Sequence, residues 1–145
     1  MSNLKSTFAL LLLFICFGRE SRAQGRPNWT PDQLMEPSEL ASTIKSKKNL
    51  PVIFSVGPAA TIPTSKDMGM VKETENLQRF KDELSHLPKG TPIVVYCGCC
   101  PFEHCPNVRP AIQLLQDGKF TNYKLLDLEH NIKIDWIDKG YPIAN

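Results

Sequence analysis

Apolar residues recur in two rhythms along this chain. Pro51-Val52-Ile53-Phe54-Ser55-Val56, Ile93-Val94-Val95-Tyr96 and Tyr123-Lys124-Leu125-Leu126 are short runs rich in β-branched and aromatic residues. Runs of this length, apolar on successive positions, predict strands covered on both faces. Between them the spacing changes to helical. Leu77, Phe80, Leu84 and Leu87 share one face over Thr74 to Leu87, closed by Pro88-Lys89-Gly90. Val108, Ala111, Ile112 and Leu115 share another face over Val108 to Gln116, with Gly118 read as the residue after the cap. An earlier helix carries Leu40, Ala41 and Ile44, with Ser38 as its expected N-cap and Lys45 to Asn49 as its end. Asn131 is placed to cap a last helix carrying Ile132, Trp136 and Ile137, stopped at Gly140. Ala59 to Met70 has no period and contains Pro63 and Gly69, so it reads as a loop. Helices alternating with short apolar strands predict an α/β fold, an open and mostly parallel sheet flanked by helices.

The first 23 residues follow another pattern. Lys5 precedes an apolar run from Phe8 to Phe17, and Ser21-Arg22-Ala23 sets small residues where a signal peptidase reads. That is the pattern of a secretory signal peptide, and the run is too short to span a bilayer. The expected organisation is a signal peptide over 1–23, a polar, proline-bearing leader over 24–35 with Trp29 as its anchor, and one domain over 36–145. Removing 1–23 takes away Lys5, Arg19, Arg22 and Glu20, which brings the formal charge of +2 to near zero. Nothing in that balance calls for nucleic acid or, after cleavage, a membrane surface. The expected location is outside the cytoplasm, periplasmic or secreted.

The chain has five cysteines. Cys16 leaves with the signal segment, and the other four stand together in Cys97-Gly98-Cys99-Cys100-Pro101-Phe102-Glu103-His104-Cys105. A staple joins distant segments, and a bridge within so short a loop removes little chain entropy. The thiols therefore read as reactive or metal-binding. Cys97 directly follows a strand, and the loop leads into a helix N-terminus, where free N–H groups favour an anionic sulfur. Cys97-Gly98-Cys99-Cys100 contains a spacing suited to dithiol–disulfide exchange.

The strand Ile93 to Tyr96 ending in Cys97, the loop, the helix from Val108, the strand Tyr123 to Leu126, Trp136 and Gly140-Tyr141-Pro142 together resemble a rhodanese-like, sulfurtransferase domain. The resemblance spans roughly Trp29 to Pro142 and is most specific in the C-terminal half. It implies the same α/β fold, with Cys97 as nucleophile carrying sulfur as a persulfide or doing thiol redox chemistry. Cys99, Cys100 and Cys105 are then resolving thiols, His104 an acid–base partner, and Arg109 a group that reaches an anionic substrate. Partners are a small sulfur-containing or thiol substrate, or the thiol of a partner protein, with no cofactor. The loop is longer than the family's usual cradle, and the aspartate and arginine common after the family's early strand are replaced by Phe54-Ser55-Val56-Gly57-Pro58. The alternative is a binding module without catalysis. In it Cys97, Cys99, Cys100, His104 and Cys105 supply ligands for copper or zinc. A third reading is an inactive scaffold of the same fold. Trp136 is expected in the core, and His86 and His130 on the surface.

Overall fold

The three apolar runs lie side by side as neighbouring parallel strands. The structure, a computed structural model, describes residues 29–145; the expected signal peptide and Cys16 fall outside the described residues. The elements follow in the order β1 (Leu34–Met35), α1 (Pro37–Ser46), β2 (Val52–Ser55), β3 (Lys66–Asp67), α2 (Thr74–Ser85), β4 (Ile93–Tyr96), α3 (Val108–Asp117) and β5 (Tyr123–Leu126). All strand pairs are parallel and the sheet order is β1-β5-β4-β2-β3. β4 is the central strand, and all four of its residues are buried. No helix among the described residues is long and apolar enough to cross a membrane.

Period-2 alternation divides the strands between two apolar layers. Phe54, Ile93, Val95, Cys97 and Leu125 face α2 and α3, meeting Phe80, Leu84, Val108, Ala111, Ile112 and Leu115. Ile53, Val94, Tyr96 and Leu126 face the other way, onto Leu40, Ala41, Leu128 and Trp136. Cys97 thus continues the β4 alternation into the layer beneath α3. Trp136 is fully buried, as expected, and donates Nε1–H to the Pro142 carbonyl at 2.7 Å.

Several local expectations change. α1 begins one residue before Ser38: Pro37 takes the first helical position and Glu36 the cap, because the fixed φ of proline suits a first turn whose N–H is unpaired anyway. Gly118 keeps right-handed helical geometry, and Lys119 is the left-handed residue (φ 58°). The Phe120 N–H then reaches back to the Leu115 carbonyl at 3.0 Å and closes the helix. The segment read as a loop over Ala59 to Met70 contributes β3 at the sheet edge, and the leader contributes β1, which pairs with β5. Neither two-residue strand has room to display a period. The last helix is a π-turn over Lys133–Ile137, widened by the Lys133 carbonyl accepting from the Asp138 N–H. Asn131 does cap it, its Oδ1 accepting the Ile134 N–H at 3.0 Å.

Candidate functional site

The loop between β4 and α3 is fastened on both sides. The Phe102 N–H donates to the Leu128 carbonyl at 3.1 Å, and the Gly98 carbonyl accepts the Ile132 N–H at 2.9 Å. Phe102 itself is buried and opens a short 3-10 turn over Phe102–His104. Gly98 is required there: a Cβ would sit 2.8 Å from Ile132 Cβ. Proline at 101 and 106 limits the conformations left to the chain between these anchors.

So held, the loop brings its four free thiols together. All four Sγ atoms lie within 4.8 Å of one another, with Cys97–Cys99 and Cys99–Cys100 both at 3.3 Å. Cys97 and Cys105 are each only 2 % exposed, Cys100 is half-buried and Cys99 is exposed. The cluster therefore runs from the core to the surface through Cys99. Gly57, at the end of β2, forms the wall against Cys97, and a Cβ there would come 2.8 Å from Cys97 Sγ.

Asn107 completes the site, and sequence reasoning missed it. It is one of only two buried polar residues among those described. Its Nδ2–H points at Cys97 Sγ at 3.6 Å, and its Oδ1 accepts the Lys72 N–H at 3.1 Å. An asparagine just before a helix reads as an N-cap, but this side chain makes no cap hydrogen bond and turns inward instead. The signal available was its place in Cys105-Pro106-Asn107-Val108, one residue short of the helix beneath the thiols.

Cys97 and Cys105 are coupled, and the balance of ionisation within the pair tilts toward Cys105. Cys105 lies beside Cys97 and at the start of α3, and both surroundings favour its anionic form. Against the opposing effect of burial, these hold the Cys105 thiol down at about 5. The same interaction with Cys105, reinforced by burial, pushes the Cys97 thiol far above the ordinary cysteine value. Burial and the contact with Cys99 push Cys100 up to about 12. The two thiols therefore titrate as a pair, Cys105 giving up its proton more readily than Cys97.

The remaining residues singled out in the sequence lie elsewhere. His104 is exposed and outside the group of converging ligand atoms. With Glu103 it borders a cavity of about 560 Å³ on the outer side of the loop, next to Trp29, Leu34 and Asp127. Arg109 is exposed and borders a different cavity, with Gln113 and Gln116 of α3. His130 is exposed and paired with Asp135 at 3.0 Å.

No family model matches the chain, and no curated protein sequence matches it. Solved structures do. A protein from Lactobacillus plantarum superposes with a TM-score of 0.57 at 12 % identity, over 79 % of this chain and 89 % of that one. A rhodanese-related protein from Thermoplasma volcanium gives 0.52 at 17 %, over 77 % and 97 %. A protein from Anabaena gives 0.54 at 19 %, over 77 % and 91 %. At these identities the likeness concerns the fold alone: the parallel five-stranded sheet with flanking helices matches that of the rhodanese-related protein.

Proposed function

We propose that the protein is a sulfur carrier of rhodanese-like fold, exported from the cytoplasm, which holds sulfane sulfur as a persulfide on Cys97. The observation that carries this reading is the setting of Cys97 Sγ. It stands at the carboxyl end of the central strand, the Asn107 amide and the Cys99 backbone N–H both point at it, and exposed Cys99 is 3.3 Å away. N–H groups aimed at a sulfur stabilise negative charge on it without reorganisation.

Cys105 supplies the base. It lies beside Cys97 and ionises more readily, so the Cys97 proton passes to Cys105 as Cys97 attacks. With thiosulfate as donor, Cys97 sulfur bonds to the outer sulfur, the donor's S–S bond breaks and sulfite leaves with its electron pair. Cys97 becomes a persulfide and Cys105 a thiol. Because Cys97 is buried, Cys99 is the thiol that meets solvent. A persulfide formed on Cys99 is passed on when Cys97, giving its proton to Cys105, attacks its outer sulfur and releases Cys99 as a thiolate. Reversal of that exchange delivers sulfur to a small thiol or to the thiol of a partner protein.

Intact mass of the reduced, metal-free protein after thiosulfate or polysulfide treatment is expected to rise by about 32 Da, one sulfur atom. Peptide mapping places the adduct on Cys97, with a smaller share on Cys99. Cys97→Ser loses the buried adduct. An unchanged yield on that variant would overturn the assignment. Export is checked separately, by the N-terminal sequence of the protein recovered outside the cytoplasm, expected to begin at Gln24.

A further inference from the structure

The convergence of the four sulfurs carries a second function that needs no sulfur transfer. We infer that Cys97, Cys99, Cys100 and Cys105 form a closed binding site for one thiophilic divalent cation, Zn²⁺, with His104 excluded.

The first argument is metric. Tetrahedral zinc with four bonds of about 2.3 Å to sulfur places its ligands about 3.8 Å apart. The four Sγ atoms here span separations from 3.3 Å to no more than 4.8 Å, which brackets that value. Small rotations of side chains already in place would complete a tetrahedron.

The second argument concerns where the ligands come from. In sequence the four cysteines look like one segment, whereas structural zinc sites draw on two. In the fold they belong to three separate stations. Cys97 ends β4, Cys99 and Cys100 occupy the turn, and Cys105 sits beneath the start of α3. The bonds from Phe102 to Leu128 and from Ile132 to Gly98 fix these stations relative to the sheet. The set is therefore pre-organised, and binding would not have to order a free loop.

The third argument is the surroundings. Four thiolates around Zn²⁺ leave a net charge of −2, which needs N–H donors when the site is buried. Asn107 Nδ2 points at Cys97 Sγ at 3.6 Å, and Cys105 stands at the N-terminal end of α3. Cys97 and Cys105 are buried, so the site is closed on the protein side. All four positions are filled by sulfur, which is the arrangement of a structural zinc centre rather than one that keeps a place for water. A Cu⁺ ion, content with two or three sulfurs, would leave at least one thiol free, and that difference separates the two metals.

The test uses the full mature chain, purified under reductant and stripped with a chelator. Titration with Co²⁺ is expected to give the intense visible bands and the near-ultraviolet thiolate charge-transfer band of tetrahedral cobalt–thiolate. Both should saturate at one equivalent and be bleached by Zn²⁺. Reactive thiols fall from four to none in the zinc form. Cys100→Ser and Cys99→Ser, whose side chains reach the surface and whose folding is checked by circular dichroism, each weaken zinc binding by more than about tenfold. Asn107→Leu weakens it by about tenfold through the lost N–H donor. His104→Ala leaves the titration unchanged. The proposal is overturned by any of three results: no tetrahedral cobalt spectrum on folded protein, loss of binding in His104→Ala, or uptake of Cu⁺ alone with a thiol left reactive. The outcome is independent of the sulfur-carrier reading, since persulfide formation is assayed on the metal-free protein. If both hold, zinc-loaded protein takes up no sulfur until the metal is removed.

Discussion

At the scale of single residues, proximity governs the chemistry of the loop. An isolated cysteine titrates near 8.5. Here the interaction with Cys97 and the N–H groups at the start of α3 take Cys105 down to about 5, while the same interaction and burial push Cys97 up. Thiolate absorbance of the reduced, metal-free protein is therefore expected to rise through one step near pH 5. Cys105→Ser removes that step, and Cys97→Ala moves it upward because the neighbouring donor is lost. The sign for stability follows. Between about pH 5 and 8.5 the folded state has lost a proton that the unfolded chain keeps, so stability rises with pH across this window. It is lost again as pH falls through 5. Above about 8.5 the unfolded chain ionises Cys97 and Cys100, which the fold holds protonated, and stability declines. Chemical denaturation of the metal-free protein at stepped pH checks both limbs. Gly57 is the other decisive residue. A methyl group there collides with Cys97 Sγ at 2.8 Å, so Gly57→Ala is expected to cost about 1–3 kcal/mol and to disperse the cluster, read as faster alkylation of Cys97.

At the scale of elements, the helices were legible because α2 and α3 bury the apolar faces their spacing announced. Their ends were less so. The left-handed position that closes α3 falls on Lys119 rather than on Gly118, because the bond from Phe120 back to Leu115 sets the register of the closure. A non-glycine residue there carries about 1–2 kcal/mol of left-handed strain. Lys119→Gly relieves it and also widens the unfolded ensemble, so the expected net gain is about 0.5–1 kcal/mol, measured as a higher urea midpoint with an unchanged slope. The cation over the Phe120 ring is Lys89 and not Lys119, so that contact is kept. The strands β1 and β3 escaped the sequence pattern because two residues cannot display a period, and only pairing with a formed edge makes them strands.

At the scale of the molecule, the thiol loop depends on parts of the chain distant from it. The segment after β5 crosses beneath the sheet, seats Trp136 against Tyr141 at 5.2 Å between ring centres, and presents the Ile132 N–H to the Gly98 carbonyl. Trp136→Ala is expected to destabilise the domain by about 3–5 kcal/mol. It should also speed alkylation of Cys97 under conditions where the protein remains folded, because the anchor at Gly98 loosens. Thiol labelling followed by peptide mapping reads both effects. Equal labelling rates in the folded wild type and variant would show that the loop is held by the sheet alone.

The sequence by itself determined the sheet's central strands, the two buried helices, the α/β class and the position of Cys97 at a strand end. Each is written locally, as a run or a spacing whose hydrophobic content demands burial whatever the rest of the chain does. Tertiary structure decided what the thiols are to one another. It coupled the ionisation of Cys97 to that of Cys105, set His104 and Arg109 outside the cluster, and turned Asn107 and Gly57 into parts of the site. Those outcomes depend on atoms brought together by folding: the end of β2 against Cys97, and the first N–H groups of α3 beneath Cys105. No spacing along the chain encodes such distances, because the electrostatics of a buried sulfur are fixed by its neighbours in space.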